Sequence, residues 1–141
     1  MLRVRVTLDE LCDAIAINSE EISHYLDLNA GTLVMRMDPL LTGYRDEGLE
    51  EELEDEERYL ELPTIDSRVA YKLMVEFMET VTSTELRDRL ETALNGRKPF
   101  RVFKDVLYDF PEEREHWFKF EREAHQNKIL EWLHEEQITL D

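Results

Sequence analysis

A single cysteine, Cys12, leaves no internal disulfide to form and points to a reducing compartment. Glycine is equally scarce: residues 31, 43, 48 and 96 lie far apart, whereas a phosphate cradle needs a cluster. There is no Gly-x-Ser-x-Gly elbow, and Ser19, Ser23, Ser67 and Ser83 stand in no hydrolase-like context. The longest unbroken aliphatic run, Ala14–Ile17, is far short of the roughly 20 residues of a membrane span. The opening Met-Leu-Arg-Val-Arg-Val has no apolar core of signal-peptide length, and no Asn-x-Ser/Thr sequon occurs. These absences together lead to the expectation of a cytoplasmic protein with no membrane partner.

Positive charge is also in short supply. Seventeen Lys and Arg face 34 Asp and Glu, a net charge of −17. Such a field repels nucleic acid and anionic lipid at long range, which argues against DNA binding by the whole surface. The deficit is local: nine of the twelve residues from Asp46 to Glu57 are acidic, more than half of the net charge. What is present suffices for a core, since 42% of the 141 residues are hydrophobic. That length is common for one domain, and a single domain over 1–141 is expected, with an acidic loop at 38–57 inside it.

Leu2, Val4 and Val6 alternate with polar residues, the period of a half-buried strand. Thr7 and Glu10 have capping-box spacing ahead of the stripe Leu8, Leu11, Cys12 and Ile15, which predicts a helix over about 8–17. Ser23–Leu28 and Thr32–Met37 flank Asn29-Ala30-Gly31 and read as a hairpin, with a further strand near 58–62. Between them, Pro39, Gly43, Gly48 and the self-repelling acids indicate a loop, with Leu49 and Leu53 leaving room for a short solvated helix.

Helical spacing governs the rest. Asp66 or Ser67 caps a stripe from Ala70 to Val81, and Thr82 with Glu85 forms a second capping box before Leu86, Leu90 and Leu94. Gly96 suits the position after that helix. A third helix carries Phe100, Phe103 and Phe110 and ends at Pro111, and a long fourth spans about 112–136. The fold class is therefore α+β: a small antiparallel sheet (hairpin near 23–37 plus strand near 58–62) followed by a four-helix C-terminal half, sharing one core. Within it, Trp117 is expected against the Phe100–Phe103 face, and Trp132 apart, near the sheet or the first helix.

Several of these segments also carry a family likeness. Tyr25-Leu-Asp-Leu-Asn-Ala-Gly31, Tyr59-Leu-Glu-Leu-Pro63, Tyr71-Lys-Leu-Met74 with Phe77, and Leu90 through Gly96-Arg97 occur in order. Phe100-Arg-Val-Phe-Lys-Asp105, Trp117-Phe-Lys-Phe120 and Trp132-Leu133 complete the series. Over nearly the whole chain it resembles a bacterial family of unknown function, uncharacterised protein family 0158 of the UPF series. The resemblance implies no activity.

Tests for catalytic and metal chemistry fail one by one. His116, His125 and His134 are spaced by nine, and nine steps of about 100° turn half a circle, so His125 faces away from the other two. His134-Glu135 begins a zincin-like pattern, but Ile138 stands where the second His is required. Asp46–Glu57 has the length of a calcium loop, yet Glu51 replaces its essential Gly and Gly48 occupies a ligand position. Cys12 lies on an apolar stripe, where a thiol is an inert small hydrophobe. No catalytic residue, metal ligand or cofactor is assigned, and a non-enzymatic protein is expected.

Two segments of opposite charge remain. Asp46, Glu47, Glu50, Glu51, Glu52, Glu54, Asp55, Glu56 and Glu57 form a candidate surface for another protein, one with a basic face. Mimicry of DNA is a variant of that reading. Gly96-Arg-Lys-Pro-Phe-Arg-Val-Phe-Lys104 is locally basic, and Arg97, Lys98, Arg101 and Lys104 beside Phe100 and Phe103 are candidate contacts for RNA or DNA. The same rings have core spacing, and the cations beside them can snorkel over that core. A protein-interaction or regulatory role is the leading expectation, nucleic-acid binding the alternative, and the residues give no signal of oligomeric state.

Overall fold

The alternation at the N-terminus does produce a strand. In the computed structural model, which describes residues 2–141, β1 is Leu2–Val4, and Val4 and Val6 are buried. Thr7 then caps α1 (Leu8–Ile17). Its hydroxyl accepts from the Glu10 N–H (3.1 Å), while the Glu10 carboxylate accepts from the Thr7 N–H (3.4 Å), the reciprocal box that the spacing requires. Leu11, Cys12, Ala14 and Ile15 form its buried stripe.

β2 (Ile22–Asp27) and β3 (Thr32–Met37) pair antiparallel, from Ile22 opposite Met37 to Asp27 opposite Thr32. Gly31 closes the turn with φ of 70°, a conformation only glycine adopts without strain. Asp27 secures the same turn by accepting from the N–H groups of Asn29 and Ala30 (3.0 and 3.1 Å). β4 (Tyr59–Glu61) pairs antiparallel with β2, giving the order β3-β2-β4.

The 38–57 segment departs from a loop. It contains α2 (Pro39–Thr42), capped by Asp38 with Pro39 in its first turn, and α3 (Glu47–Glu52), capped by Asp46. Glu47 and Glu50 sit in the first turn of α3, where the positive end of the helix dipole offsets their mutual repulsion.

Four helices follow: α4 (Ser67–Thr80), α5 (Thr84–Leu94), α6 (Pro99–Tyr108) and α7 (Pro111–Glu135). Asp66 caps α4. The box expected at Thr82 is absent. The Ser83 hydroxyl accepts from the Leu86 N–H (3.3 Å), so Ser83 is the cap and the third helical position holds Leu, which cannot reciprocate. Val81, buried, ends α4 in an extended conformation, and α5 consequently starts one residue later than the hydroxyl-to-Glu85 spacing suggested. Gly96 follows the α5 cap residue Asn95, but a Cβ there would lie 3.3 Å from the Thr92 carbonyl oxygen; the left-handed residue is Lys98 (φ 50°). A strand absent from the sequence reading, β5 (Ile138–Leu140), pairs parallel with β1, Leu2 opposite Ile138.

The fold is thus α+β, with seven helices, a three-stranded antiparallel sheet and a parallel pair among the described residues. Its buried residues form two clusters where one shared core was expected, and the chain divides into two compact units. One takes the chain up to Ile65 together with His125–Asp141; its core includes Leu11, Ile15, Leu26, Ile129, Trp132 and Ile138. The other is Asp66–Ala124, built around aromatic rings. Phe103 and Trp117 meet edge to face at 5.0 Å, as the spacing predicted, and Trp132 packs in the other cluster with α1 residues. Phe77, read from the sequence as part of the α4 stripe and of the family series but not placed against the other rings, touches Phe103, Trp117 and Phe120 at 6.3, 5.3 and 5.5 Å between centroids.

Candidate functional site

Met35 and Met37 lie two apart on β3 and therefore on one face of the strand. With Thr42, Tyr44, Asp46, Leu49 and Glu50 they line a groove of about 400 Å³. Local chemistry fixes its walls. Asp38 accepts from the Leu40 N–H (2.9 Å), and Gly43, left-handed at φ 75°, turns the chain out of α2 toward Tyr44. Asp46 accepts from the Leu49 N–H (3.1 Å) and starts α3. Arg36 donates to Glu50 (2.8 Å), tying α3 to β3, and this hydrogen bond raises the guanidinium's pKa further.

The chain that supplies this groove also exposes several large apolar side chains. Leu40 is 94% exposed, Tyr44 56%, Leu41 55% and Met35 44%, all within ten residues of sequence. Large apolar side chains exposed together, rimmed by charge, mark interaction surfaces.

The acidic residues divide by role. Asp46 is a cap, Glu47 pairs with Arg45 (2.6 Å), Glu50 with Arg36, and Glu52 accepts from the Tyr59 hydroxyl (3.4 Å). Asp55 accepts from the Glu57 N–H (3.2 Å) in the turns before β4. Glu51, Glu54, Glu56 and Glu57 are exposed and their side chains make no ion pair among the described residues. The structure thus brings Asp46 and Glu50 to the groove and leaves the later acids as a charged flank. Met35, Leu40, Leu41 and Tyr44 were missed by sequence reasoning; the signal was three apolar residues (Leu40, Leu41, Tyr44) inside a segment otherwise read as a polar loop.

The basic segment is less complete than expected. Arg97, Lys98, Arg101 and Lys104 are all exposed, with Arg101 and Lys104 one turn apart on α6. Among the described residues, the one ion pair these four cations make is Arg101 with Asp105, at a loose 3.9 Å. Phe103, however, is fully buried against Trp117 and offers no face to a base, whereas Phe100 is 37% exposed. Of the two stacking rings, only Phe100 is at the surface.

Two buried polar groups lie elsewhere. Asp27 takes both Arg58 N–H groups (Nε to Oδ1 3.1 Å, Nη2 to Oδ2 3.0 Å), and that hydrogen bonding holds its carboxyl below the usual range. His24 pairs with Asn18 through Nδ1 and Oδ1 at 2.5 Å, and burial lowers its imidazole from the ordinary 6.5. Among the described residues no three His, Cys, Asp or Glu side chains are placed to hold a metal ion, and no helix is long and apolar enough to cross a membrane.

No solved structure matches this chain. It is 31% identical over 139 residues to UPF0158 protein PA5073 of Pseudomonas aeruginosa, a match covering 98% of this chain and 87% of that protein. The model of the family described as Uncharacterised protein family (UPF0158) matches residues 2–140. The ordered series from Tyr25 to Leu133 therefore reflects kinship, and the chain belongs to the uncharacterised protein family UPF0158.

Proposed function

We propose that this is a protein-interaction module whose Met35–Tyr44–Leu49 groove takes a short basic segment of another protein through apolar anchors. The observation that carries the reading is the exposure of Leu40, Leu41, Tyr44 and Met35 beside a groove rimmed by Asp46 and Glu50. The apolar lining supplies contact energy on desolvation, and the flanking carboxylates select a cationic partner and speed its encounter. DNA mimicry would need the acids alone; the apolar groove favours a protein segment. Nucleic-acid contact through Arg97, Lys98, Arg101 and Lys104 has four exposed cations in its favour and the burial of Phe103 against it.

Fluorescence anisotropy with a labelled peptide of alternating Lys and Leu tests the proposal. Binding is expected to weaken with salt and to drop by about tenfold or more when the leucines become serines or in a Met35→Ser/Tyr44→Ser protein. Equal binding of the serine peptide, or an unaffected double variant, would reduce the effect to unspecific charge attraction and overturn the groove. A labelled single-stranded RNA run in parallel tests the alternative: a shift lost in Arg101→Ala/Lys104→Ala would transfer the assignment to α6.

A further inference from the structure

The unit formed by Asp66–Ala124 has a recess of its own, which shares only Lys104 with the basic segment discussed above. It measures about 190 Å³ and is lined by Lys104 and Leu107 of α6 and by Arg114, Trp117, Phe118 and Glu121 of α7. For scale, an engineered apolar cavity of about 150 Å³ holds benzene. The recess therefore suits a molecule with one branched aliphatic group or one small ring.

Its charges are arranged for more than an apolar guest. Arg114 lies over the Tyr108 and Phe118 rings, 5.3 and 5.1 Å from their centroids, so cation–π attraction holds its guanidinium at the wall. Glu121 is half-buried, and desolvation pushes its carboxyl above the ordinary 4.5. Lys104 pulls the other way through space, yet the two form no ion pair across the recess they share. A carboxylate removed from water without a partner is costly, and a cation brought to it restores the loss.

We propose that this recess binds a free α-amino acid with an apolar side chain. Its carboxylate would meet Lys104 and Arg114, its ammonium Glu121, and its side chain Leu107 and the Phe118 ring. A simple anion would leave Glu121 without a cation brought to it, and a simple cation would leave Lys104 and Arg114 without an anion. A zwitterion answers both signs of charge at once. Trp117 stiffens the wall, locked by ring contacts with Phe77, Phe103 and Phe120.

Titration calorimetry of the full chain with L-leucine and L-phenylalanine tests this, beside 4-methylpentanoate and 3-methylbutylamine, which are leucine without its ammonium and without its carboxylate. At least one amino acid should bind at about 1 mM or tighter, and each leucine analogue should bind about tenfold or more weakly than leucine. The Trp117 indole N–H resonance should shift on binding. Glu121→Gln and Lys104→Met should each lose about tenfold in affinity, while Glu123→Gln, at an exposed neighbour, should not. The analogue series uses the unaltered protein, so a variant that fails to fold leaves the test standing. No binding of either amino acid at about 10 mM, or leucine bound no better than its analogues, would overturn the proposal.

Discussion

The two units differ in what they bury. The unit of Asp66–Ala124 hides rings and aliphatic chains: Phe77, Phe103 and Trp117 lie together with Leu86, Leu90 and Leu107. The unit with the sheet also hides an apolar core, but His24, Asp27 and His125 are buried in it as well. Aromatic packing is sensitive to volume and indifferent to pH, whereas buried titratable groups make stability depend on proton concentration. One chain therefore carries two kinds of stability, and each unit holds one of the two tryptophans as its own reporter, Trp117 and Trp132.

The largest expected effect lies in the aromatic unit. Phe77→Ala removes the ring that joins Phe103, Trp117 and Phe120, and it should cost about 3–5 kcal/mol. Phe103→Ala should cost a similar amount, and the double variant less than the sum, because the two rings share a contact. Urea unfolding followed by Trp117 emission in a Trp132→Phe background measures this. A small loss for Phe77→Ala would show that the cluster relaxes around the gap.

The second effect, a loss of stability as pH falls, should appear in the unit with the sheet; the raised carboxyl of Glu121 in the other unit acts with the opposite sign. Burial lowers the His24 pKa in the folded state, so the unfolded chain binds its proton first as pH falls. Stability from the neutral imidazole is thus complete above about pH 6.5 and declines as pH drops toward the lowered folded value. Asp27 acts later: its contribution is complete above the ordinary carboxylate value of 3.8 and is lost as pH falls through its depressed folded pKa. Urea midpoints read by Trp132 in a Trp117→Phe background should fall below pH 6.5, and a His24→Gln variant should flatten that first decline. If Trp117 reports the same pH dependence in the converse background, the contrast between the units fails.

The smallest effect tests a single hydroxyl. Ser83→Ala should cost about 1 kcal/mol as a lost helix cap, while Thr82→Ala, one residue away, should be nearly neutral. Thermal melts of the two variants sharpen the account of how α5 begins.

That pair also marks where sequence reasoning stops. Signals confined to a few neighbours were legible: the Thr7–Glu10 box, Gly31 in the hairpin, Asp66 before α4, and the 3–4 spacing that put Phe103 on Trp117. Choosing between Thr82 and Ser83 depended on where the chain turns between α4 and α5, because both hydroxyls precede the α5 stripe and either could cap it. The Lys98 conformation was equally hidden, because a left-handed lysine has no sequence mark. β5 has three residues and a partner near the other end of the chain, so neither length nor spacing disclosed it. Of the candidate site, the acids were plain to see, but their division into caps, ion pairs and bare charges belongs to three-dimensional arrangement. So does the groove, because Met35 and Met37 read as ordinary strand residues until α2 and α3 are placed.

The pairing of β1 with β5 sets an order of events during synthesis. Residues 66–124 are all synthesised before Ile138, and they cluster as a compact unit of their own. The helical unit is free to fold as it emerges, and its contacts are short-range, which favours speed. Leu2–Val4, made before that unit, has no β5 to lie against until Ile138–Leu140 have been added. A strand synthesised ahead of the helical unit finds its partner only after that unit is complete.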